Sequence, residues 1–143
     1  MTADCLLDTN VLVYSVDATP ANRAKHLRAV ELIETVDFGL SAQVLQEFYV
    51  TVTRKLAKPL APTEALEILD RLGAFPTVTV DQKLVIEGIR HSVRYQISYR
   101  DGAILAAAER LGARIVYSED LNHGQSYGFT SVVDPFHPPD NRG

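Results

Sequence analysis

A short apolar strand that ends on an acid occurs near both ends of this chain, and this repeated pattern constrains the fold most. Near the start, the apolar residues 5–7 lead into Asp8, and near the end residues 114–117 lead into a polar turn that contains Asp120. If the two strands lie parallel in one sheet, both carboxylates emerge at the edge where open α/β sheets bind ligands. No lysine or cysteine stands beside these acids in the sequence, so the pattern predicts a divalent metal site.

Strand-like and helix-like segments alternate along the chain. The strand-like segments are residues 3–8, 38–40, 77–80, 114–118 and 130–133. The helix-like segments are residues 10–15, 21–36, 42–56, 63–72, 82–96 and 101–111. This alternation predicts an α/β fold with three α/β/α layers, in which helices cover both faces of a twisted, mostly parallel sheet of about four to five strands. We expect one domain over residues 1–134 and an irregular, proline-containing tail over 135–143.

Helical periodicity indicates a buried face on three of these helices. The apolar residues at helical spacing are Leu27, Val30 and Ile33, then Leu45, Tyr49, Val52 and Leu56, then Ile86, Ile89, Val93 and Ile97. Glu47 lies off the second of these faces, so periodicity alone favours a solvated surface position for it.

The composition indicates a domain that holds its own core. The 143 residues are 46% hydrophobic and include one cysteine. A chain of this size buries roughly 70% of its unfolded surface and needs no disulfide. Cys5 lies inside the first apolar strand, so we expect a core residue in a protein of a reducing compartment.

Neither a membrane span nor a secretory signal is recognisable in the sequence. No apolar run reaches the roughly 20 residues of a transmembrane helix, and the first residues lack the basic and apolar regions of a signal peptide. These features predict a cytoplasmic protein without a membrane partner. The formal net charge of −4 argues mildly against nonspecific nucleic-acid binding, although bound metal ions would reverse the sign at an acidic site.

Taken singly, each candidate acid has a structural interpretation beside the functional one. Asp8 and Asp120 follow strands, where an acid either caps the next helix or turn or binds a ligand. Asp101 stands at the start of a helix, where the helix dipole alone favours a carboxylate. Asp81 also follows a strand and is interpreted as a plain helix cap.

A cluster of these acids would change the balance. Carboxylates a few ångströms apart repel one another and raise each other's pKa, so a protein avoids the arrangement unless cations occupy it. Oxygen ligands suit Mg²⁺ or Mn²⁺ rather than a structural zinc. The chemistry implied is metal-assisted attack of water on a phosphodiester.

Several other classes of site lose support from the sequence. The four histidines, at positions 26, 91, 123 and 137, lack zinc-ligand spacing, and no phosphate-binding or dinucleotide glycine motif and no G-x-S-x-G occurs. An aspartyl-phosphate phosphatase needs a second Asp two residues after the first, but position 10 is Asn. A receiver domain needs a lysine after a late strand, and residues 114–121 supply none.

Four segments of the chain, taken together, resemble the motifs of the PIN-domain ribonucleases. They are residues 6–12 (LLDTNVL), 41–48 (SAQVLQEF), 99–107 (YRDGAILAA) and 116–121 (VYSEDL). The four occur in the family's order across residues 5 to 121. The compact chain is most similar to the VapC-type toxins of bacterial type II toxin–antitoxin pairs.

The resemblance implies a role for particular residues. The metal-binding and catalytic acids would be Asp8, Glu47, Asp101 and Asp120, with Thr9, Asn10 and Ser118 as supporting polar residues. Spacing from Ser118 favours Asp120 over the adjacent Glu119 as the acid that faces the metal. The resemblance further implies an Mg²⁺- or Mn²⁺-dependent endoribonuclease that acts on tRNA or rRNA and inhibits translation. Its implied partners are a small antitoxin that covers the active site and a second copy in a homodimer.

The RNA contacts and the biological setting stay open at the level of sequence. The basic groups are Arg100, then Arg54 with Lys55 and Lys58, then Arg23, Lys25 and Arg28, then Arg90 and Arg94. Each is also typical of a solvated helix face, and Arg100 stands directly before Asp101, where it is expected to meet a phosphate. Two alternatives to the toxin are an RNA-processing PIN nuclease without an antitoxin and a PIN-like binding module that has lost activity.

Overall fold

The computed structural model describes residues 1–138. The strands are β1 (Cys5–Leu7), β2 (Phe38–Ser41), β3 (Thr77–Val78), β4 (Ile115–Tyr117), β5 (Ser126–Tyr127) and β6 (Thr130–Val133). The α-helices are α1 (Thr9–Val16), α2 (Arg23–Thr35), α3 (Ala42–Arg54), α4 (Pro62–Leu72), α5 (Gln82–Tyr95) and α6 (Tyr99–Leu111). A 3₁₀ turn, Pro20–Asn22, precedes α2. Within the described range, no helix has the length and apolar character of a membrane span.

The six strands form one sheet in the order β3-β2-β1-β4-β6-β5. Every neighbouring pair is parallel except β5 and β6, which are antiparallel. Helix α6 lies against the sheet and carries α5, while α1 contacts α2 and α3, and α3 contacts α4. The predicted three-layer α/β/α fold is therefore confirmed, with six strands rather than four to five. The additional strand β5 has two residues, too few to show a period in sequence.

The position of β1 explains why the acids meet. Cys5 pairs with Phe38 of β2 on one side and with Ile115 of β4 on the other. All three β1 residues are buried because the strand has parallel neighbours on both sides and helices over both faces. Consequently β1 and β4 end side by side, and the residues that follow them share the carboxyl edge of the sheet.

The described part of the C-terminal tail packs back on the domain. The ring of Phe136 meets that of Tyr14 edge to face, with centroids 5.0 Å apart. The backbone carbonyl of Pro135 also accepts a hydrogen bond from Arg28 Nε at 3.1 Å. The irregular tail predicted from residue 135 thus contacts the domain as far as it is described, and residues 139–143 lie outside the described residues.

The buried face predicted for α5 is wrong. Ile86, Ile89 and Val93 are 41%, 48% and 73% exposed, whereas Leu84 and Gly88 are buried. The reason is that α5 packs on α6 through Gly88, where a Cβ would lie 3.0 Å from the Cα of Ala103. A close contact between helix backbones has replaced the larger apolar side chains that periodicity singles out.

The start of α6 and the backbone conformation at the end of α4 also differ from the prediction. Helix α6 begins at Tyr99, two residues before Asp101, because Ser98 Oγ accepts a hydrogen bond from the backbone N–H of Asp101 at 3.1 Å. Helix α4 ends at Gly73 as expected, but with φ −61°, so this glycine does not adopt the left-handed conformation. The first difference places Arg100 and Asp101 in the first turn of α6.

Cys5 is expected to be unreactive towards thiol reagents in the folded protein. Its side chain is 2% exposed, and burial, with Asp37 and Asp4 nearby, raises the pKa of the thiol to about 12. The reactive thiolate is therefore scarce at neutral pH. Titration with Ellman's reagent should find less than about 0.1 thiol per chain in native buffer and one in denaturant; rapid native labelling would contradict a core position.

Candidate metal centre

Asp8 is the buried centre of the acidic edge. It follows β1 directly, its side chain is 0% exposed, and its Oδ1 accepts a hydrogen bond from the backbone N–H of Thr9 at 2.7 Å, which caps α1. Its Oδ2 accepts a hydrogen bond of 2.7 Å from Ser118 Oγ. The capping interpretation of Asp8 is therefore correct, and it is compatible with a further role because the second carboxylate oxygen is directed at the edge.

Ser118 links the two strand ends. It follows β4, is fully buried, and besides donating to Asp8 it accepts a hydrogen bond from the backbone N–H of Asp120 at 3.1 Å. This second bond fixes the turn so that Asp120 stands at the same edge as Asp8. The side chain of Asp120 is 48% exposed, the most open of the four acids.

Glu47 reaches the edge from α3, and its predicted surface position is only partly correct. Its side chain is 33% exposed, and Val44 and Phe48 on either side of it are buried. Gln43, one turn earlier, donates from Nε2 to Glu47 Oε1 at 3.2 Å and to the backbone carbonyl of Arg100 at 3.4 Å. Sequence reasoning missed Gln43, although its i,i+4 spacing from Glu47 is a usable signal.

The guanidinium of Arg100 lies between the four acids. Its Nη2 is 2.6 Å from Asp8 Oδ1, and its Nε is 2.9 Å from Glu47 Oε2. Its Nη1 lies 3.2 Å from Asp101 Oδ1 and 3.9 Å from Asp120 Oδ2. The fold thus brings together all four acids that the resemblance singled out, and it places a positive charge of the chain itself at their centre.

The pKa shifts reflect this arrangement. Burial acts to lower the pKa of Arg100, but hydrogen bonds and charge contacts with Asp8 and Glu47 outweigh it and raise the pKa well above its usual value. Burial and the neighbouring Asp8 raise the pKa of Asp120, while Arg100 and a hydrogen bond from Asn10 oppose the rise. The edge therefore has an excess of negative charge that one arginine only partly compensates.

The supporting polar residues all lie at this edge. Thr9 Oγ1 accepts a hydrogen bond from Arg100 Nη2 at 3.2 Å, and Ser118 Oγ donates one to Asp8. Asn10 lies close enough to Asp120 to lower the pKa of its carboxyl. These contacts orient the carboxylates, which is the usual task of outer-shell groups at a metal site.

Glu119 turns away from the acidic edge. Its Oε1 accepts a hydrogen bond from the Tyr14 hydroxyl at 3.0 Å, and its Oε2 pairs with Lys25 Nζ at 2.9 Å. Because both oxygens are taken up on the α1–α2 side, the structure places Asp120 and not Glu119 beside Asp8.

The basic residues fall into two groups. Lys25 pairs with Glu119, Arg28 bonds Pro135 and lies 3.4 Å from Glu31, and Arg100 bonds the acids. The candidates with exposed side chains are Arg23, Arg54, Lys55, Lys58, Arg90 and Arg94. Arg54 is two helical turns from Glu47 on α3, about 10 Å along the helix axis and on nearly the same face.

The donor set fits a divalent cation, but the present arrangement fits the guanidinium. All donors are oxygens, as Mg²⁺ and Mn²⁺ prefer, and they come from four separate elements that converge on a single positive group. Over residues 1–138, no three His, Cys, Asp or Glu side chains are gathered closely enough to hold a metal as they stand. The residues therefore suit the ion in chemistry, while Arg100 keeps the carboxylates apart around itself.

Comparison with known proteins identifies the family. The fold and the site define a general class of α/β protein, which has an open, mostly parallel sheet with acids at its carboxyl edge. Residues 5–125 match the PIN domain family, and the chain belongs to this family. No match is found among curated protein sequences.

Solved structures of similar fold include several toxins. VapC20 of Mycobacterium tuberculosis, described as a sarcin-ricin loop cleaving toxin, shares 20% identity with a TM-score of 0.63, over 80% of this chain and 88% of its own. A toxin–antitoxin complex from Klebsiella pneumoniae shares 18% with a TM-score of 0.67, over 94% and 99%. VapBC2 of Rickettsia felis, bound to a promoter DNA fragment, shares 16% with a TM-score of 0.61, over 90% and 96%. At these identities the likeness establishes a common fold.

Proposed function

We propose that this PIN-domain protein is an Mg²⁺- or Mn²⁺-dependent endoribonuclease that acts as the toxin of a toxin–antitoxin pair. The observation that carries the proposal is the convergence of Asp8, Glu47, Asp101 and Asp120 on one point at the carboxyl edge. A domain has little structural reason to gather four carboxylates from four elements, because their mutual repulsion destabilises the fold unless a cation is present. A divalent cation held by these acids would in turn attract the phosphates of a polyanionic substrate.

The four acids would hold the ion, and the polar residues would hold the acids. When bound, the divalent ion would supply an activated water and stabilise the leaving oxygen of a phosphodiester. Ser118 and the Thr9 N–H orient Asp8, and Asn10 orients Asp120. These contacts with fixed groups keep the carboxylates directed at the edge without reorganisation during the reaction.

RNA phosphates would be bound along α3 rather than at Arg100 in its present position. Arg54 and Lys55 are exposed at the end of α3, on the helix that carries Glu47. Arg100, expected to meet a phosphate, bonds the acids instead and is unavailable while it does so. Phosphate contacts of this kind give affinity and position but no sequence preference.

The toxin part of the proposal draws on the similar structures. One is described as a toxin that cleaves the sarcin-ricin loop, and others are toxin–antitoxin complexes, two of them from VapBC systems bound to DNA. By analogy we assign this protein an rRNA or tRNA substrate, inhibition of translation, a small cognate antitoxin and a homodimer in the cytoplasm. A small gene beside this one, whose product co-purifies with it and blocks cleavage, would distinguish a toxin from an RNA-processing nuclease.

Removal of divalent metal is expected to abolish cleavage. Purified protein, freed of co-purified antitoxin and verified as folded by circular dichroism, would be incubated with a pool of tRNA and rRNA. Discrete fragments should appear with Mg²⁺ or Mn²⁺, disappear with EDTA and return when metal is restored in excess. The Glu119→Gln variant is the control for charge at this edge, and it should cleave as well as the natural protein because Glu119 faces away from the acids.

Two results would overturn the proposal, and a third would correct the assignment of one acid. Fragments that persist in EDTA would mean contamination or a metal-independent reaction. A folded protein that cleaves no RNA with either metal would favour a binding module. Loss of cleavage in Glu119→Gln would mean that the wrong acid of the Glu119–Asp120 pair has been assigned.

A further inference from the structure

Arg100 occupies the place among the carboxylates that a divalent cation would need. Each oxygen of Asp8 already accepts two hydrogen bonds, Oδ1 from the Thr9 N–H and Arg100 Nη2, and Oδ2 from Ser118 Oγ and Arg100 Nη1. Arg100 also covers Asp8, which is 0% exposed, from the solvent side, while its own side chain is 29% exposed. With two hydrogen bonds on each oxygen, Asp8 has no acceptor position left for another ligand while Arg100 is bound.

A metal ion and the guanidinium cannot use the same oxygens at once. Mg²⁺ binds carboxylate oxygens at about 2.0–2.1 Å in near-octahedral geometry, which demands lone pairs that now point at Arg100. An ion bound there would also stand within a few ångströms of the arginine charge, where like charges repel strongly in a partly buried site. Binding of the ion therefore requires Arg100 to leave.

The surroundings of Arg100 allow it to leave without refolding. It lies in the first turn of α6, where only its side chain contacts the acids, and the adjacent Tyr99 is 44% exposed. The backbone carbonyl of Arg100 is held separately by Gln43 at 3.4 Å. A rotation of the long side chain towards solvent would open the site while the backbone of α6 stays in place.

We propose that Arg100 is a built-in competitor of the divalent cation: it neutralises the four carboxylates in the metal-free protein and is displaced when the ion binds. The inference rests on the metal site of the proposed function and adds a regulation of that site. The ion must exchange with a positive charge that the chain itself supplies, so the measured metal affinity is weaker than the affinity of the same carboxylates without Arg100. The metal-free fold, in return, is protected from the repulsion of four uncompensated acids.

Metal affinity in Arg100 variants tests this competition without any activity assay. Isothermal titration calorimetry with Mn²⁺ on the full chain should show at least about tenfold tighter binding for Arg100→Gln than for the natural protein, because the fraction of open site rises towards one. Arg100→Lys keeps the charge but lacks the fork that bridges several acids. Arg100→Lys should therefore bind Mn²⁺ more tightly than the natural protein, but by a smaller factor than Arg100→Gln. It replaces Arg100→Gln as the test variant if that protein does not fold.

The matched control is Arg110→Gln on the same helix. Arg110 pairs with Asp81 at 3.0 Å and lies 3.6 Å from Glu87, far along α6 from the acidic edge. This variant removes an arginine from a surface ion pair and should leave the Mn²⁺ affinity within about twofold of the natural value.

Melting temperatures provide an independent readout. In EDTA, Arg100→Gln should melt below the natural protein because its carboxylates are uncompensated. Saturating Mn²⁺ should raise the melting temperature of this variant by more than it raises that of the natural protein. Equal increments would contradict displacement of Arg100.

The outcomes separate this inference from the proposed function. Equal or weaker Mn²⁺ binding by the Arg100 variants, with clear binding by the natural protein, would overturn the competition and leave the metal site standing. Mn²⁺ binding by Arg100→Gln alone would support the competition in its strongest form. Absence of Mn²⁺ binding in all folded variants would overturn both the competition and the metal site.

Discussion

The Asp8→Asn variant should lose RNA cleavage by more than about 100-fold while retaining the fold, since even changes to outer-shell groups at metal sites cost about 10–100-fold. Asp8 is the only fully buried acid of the four and the one that bonds both Arg100 and Ser118. Asparagine keeps the size of the side chain but has one acceptor oxygen and no charge. The remaining three acids would bind the ion more weakly and without its central ligand.

The same substitution should also change the stability of the metal-free protein. Asp8 holds charge-assisted hydrogen bonds with Arg100, each of a kind that contributes about 1.5–3 kcal/mol, but its removal also relieves repulsion of Asp120. We therefore expect a modest fall in melting temperature with an unchanged circular dichroism spectrum. Cleavage of a tRNA and rRNA pool with Mn²⁺, followed over time on gels, gives the rate ratio.

Asp37→Asn is the matched control for Asp8→Asn. Asp37 is an exposed residue directly before β2, at the opposite edge of the sheet from the acids. The Asp37→Asn substitution makes the same chemical change beside the same sheet. This variant should cleave RNA at the natural rate. Cleavage by Asp8→Asn at more than about a tenth of that rate would remove Asp8 from the metal site.

The Gly102→Ala variant should be destabilised by about 2 kcal/mol or more, as expected for overpacking between closely packed helices. A Cβ at Gly102 would collide with the Gly88 carbonyl oxygen and lie 2.9 Å from the Ser92 backbone nitrogen. Both of these neighbours are backbone atoms, which cannot move aside as a flexible side chain can. Alanine's better helix propensity, worth about 1 kcal/mol, is too small to compensate fully for separation of α5 from α6.

Thermal and urea denaturation of Gly102→Ala would check this expectation. A loss of about 2 kcal/mol corresponds to a fall in melting temperature of about 6 °C for a domain of this size. Gly73→Ala is the control, because Gly73 has φ −61° and a Cβ there would come no nearer than 3.2 Å to the Asp70 carbonyl. It should stay within about 0.5 kcal/mol of the natural protein. A stability of Gly102→Ala equal to that of this control would show that the α5–α6 contact can relax.

The sequence predicted the sheet because the chemistry of its strands is local. Apolar runs such as residues 5–7 and 130–133 are buried parallel strands, and their acids mark the carboxyl edge. The α5 face was mispredicted because side-chain periodicity contains no information on backbone contacts, and Gly88 and Gly102 bring two helices together without a large apolar side chain.

The four acids that meet at the sheet edge could be named from the sequence and its resemblance, but their relation to Arg100 could not. Asp8 and Asp120 follow strands, which is a local signal, whereas Glu47 depended on resemblance because its side chain lies off the main apolar face of α3. The central position of Arg100 depends on four segments that are distant in sequence, and no spacing along the chain reveals it. Glu119 likewise could be separated from Asp120 only by its contacts with Tyr14 and Lys25.

If the proposed toxin function holds, the order of the acids along the chain determines when during synthesis the protein can become active. Asp8 directly follows the first strand, but Asp120 and its supporting Ser118 follow β4, and β4 pairs with β1 only after most of the chain has been synthesised. A nascent chain that ends before residue 115 lacks Asp120 and also lacks β4, the strand that lies beside β1. Prematurely terminated products should therefore be inert, and an antitoxin would need to meet only chains whose translation is nearly complete.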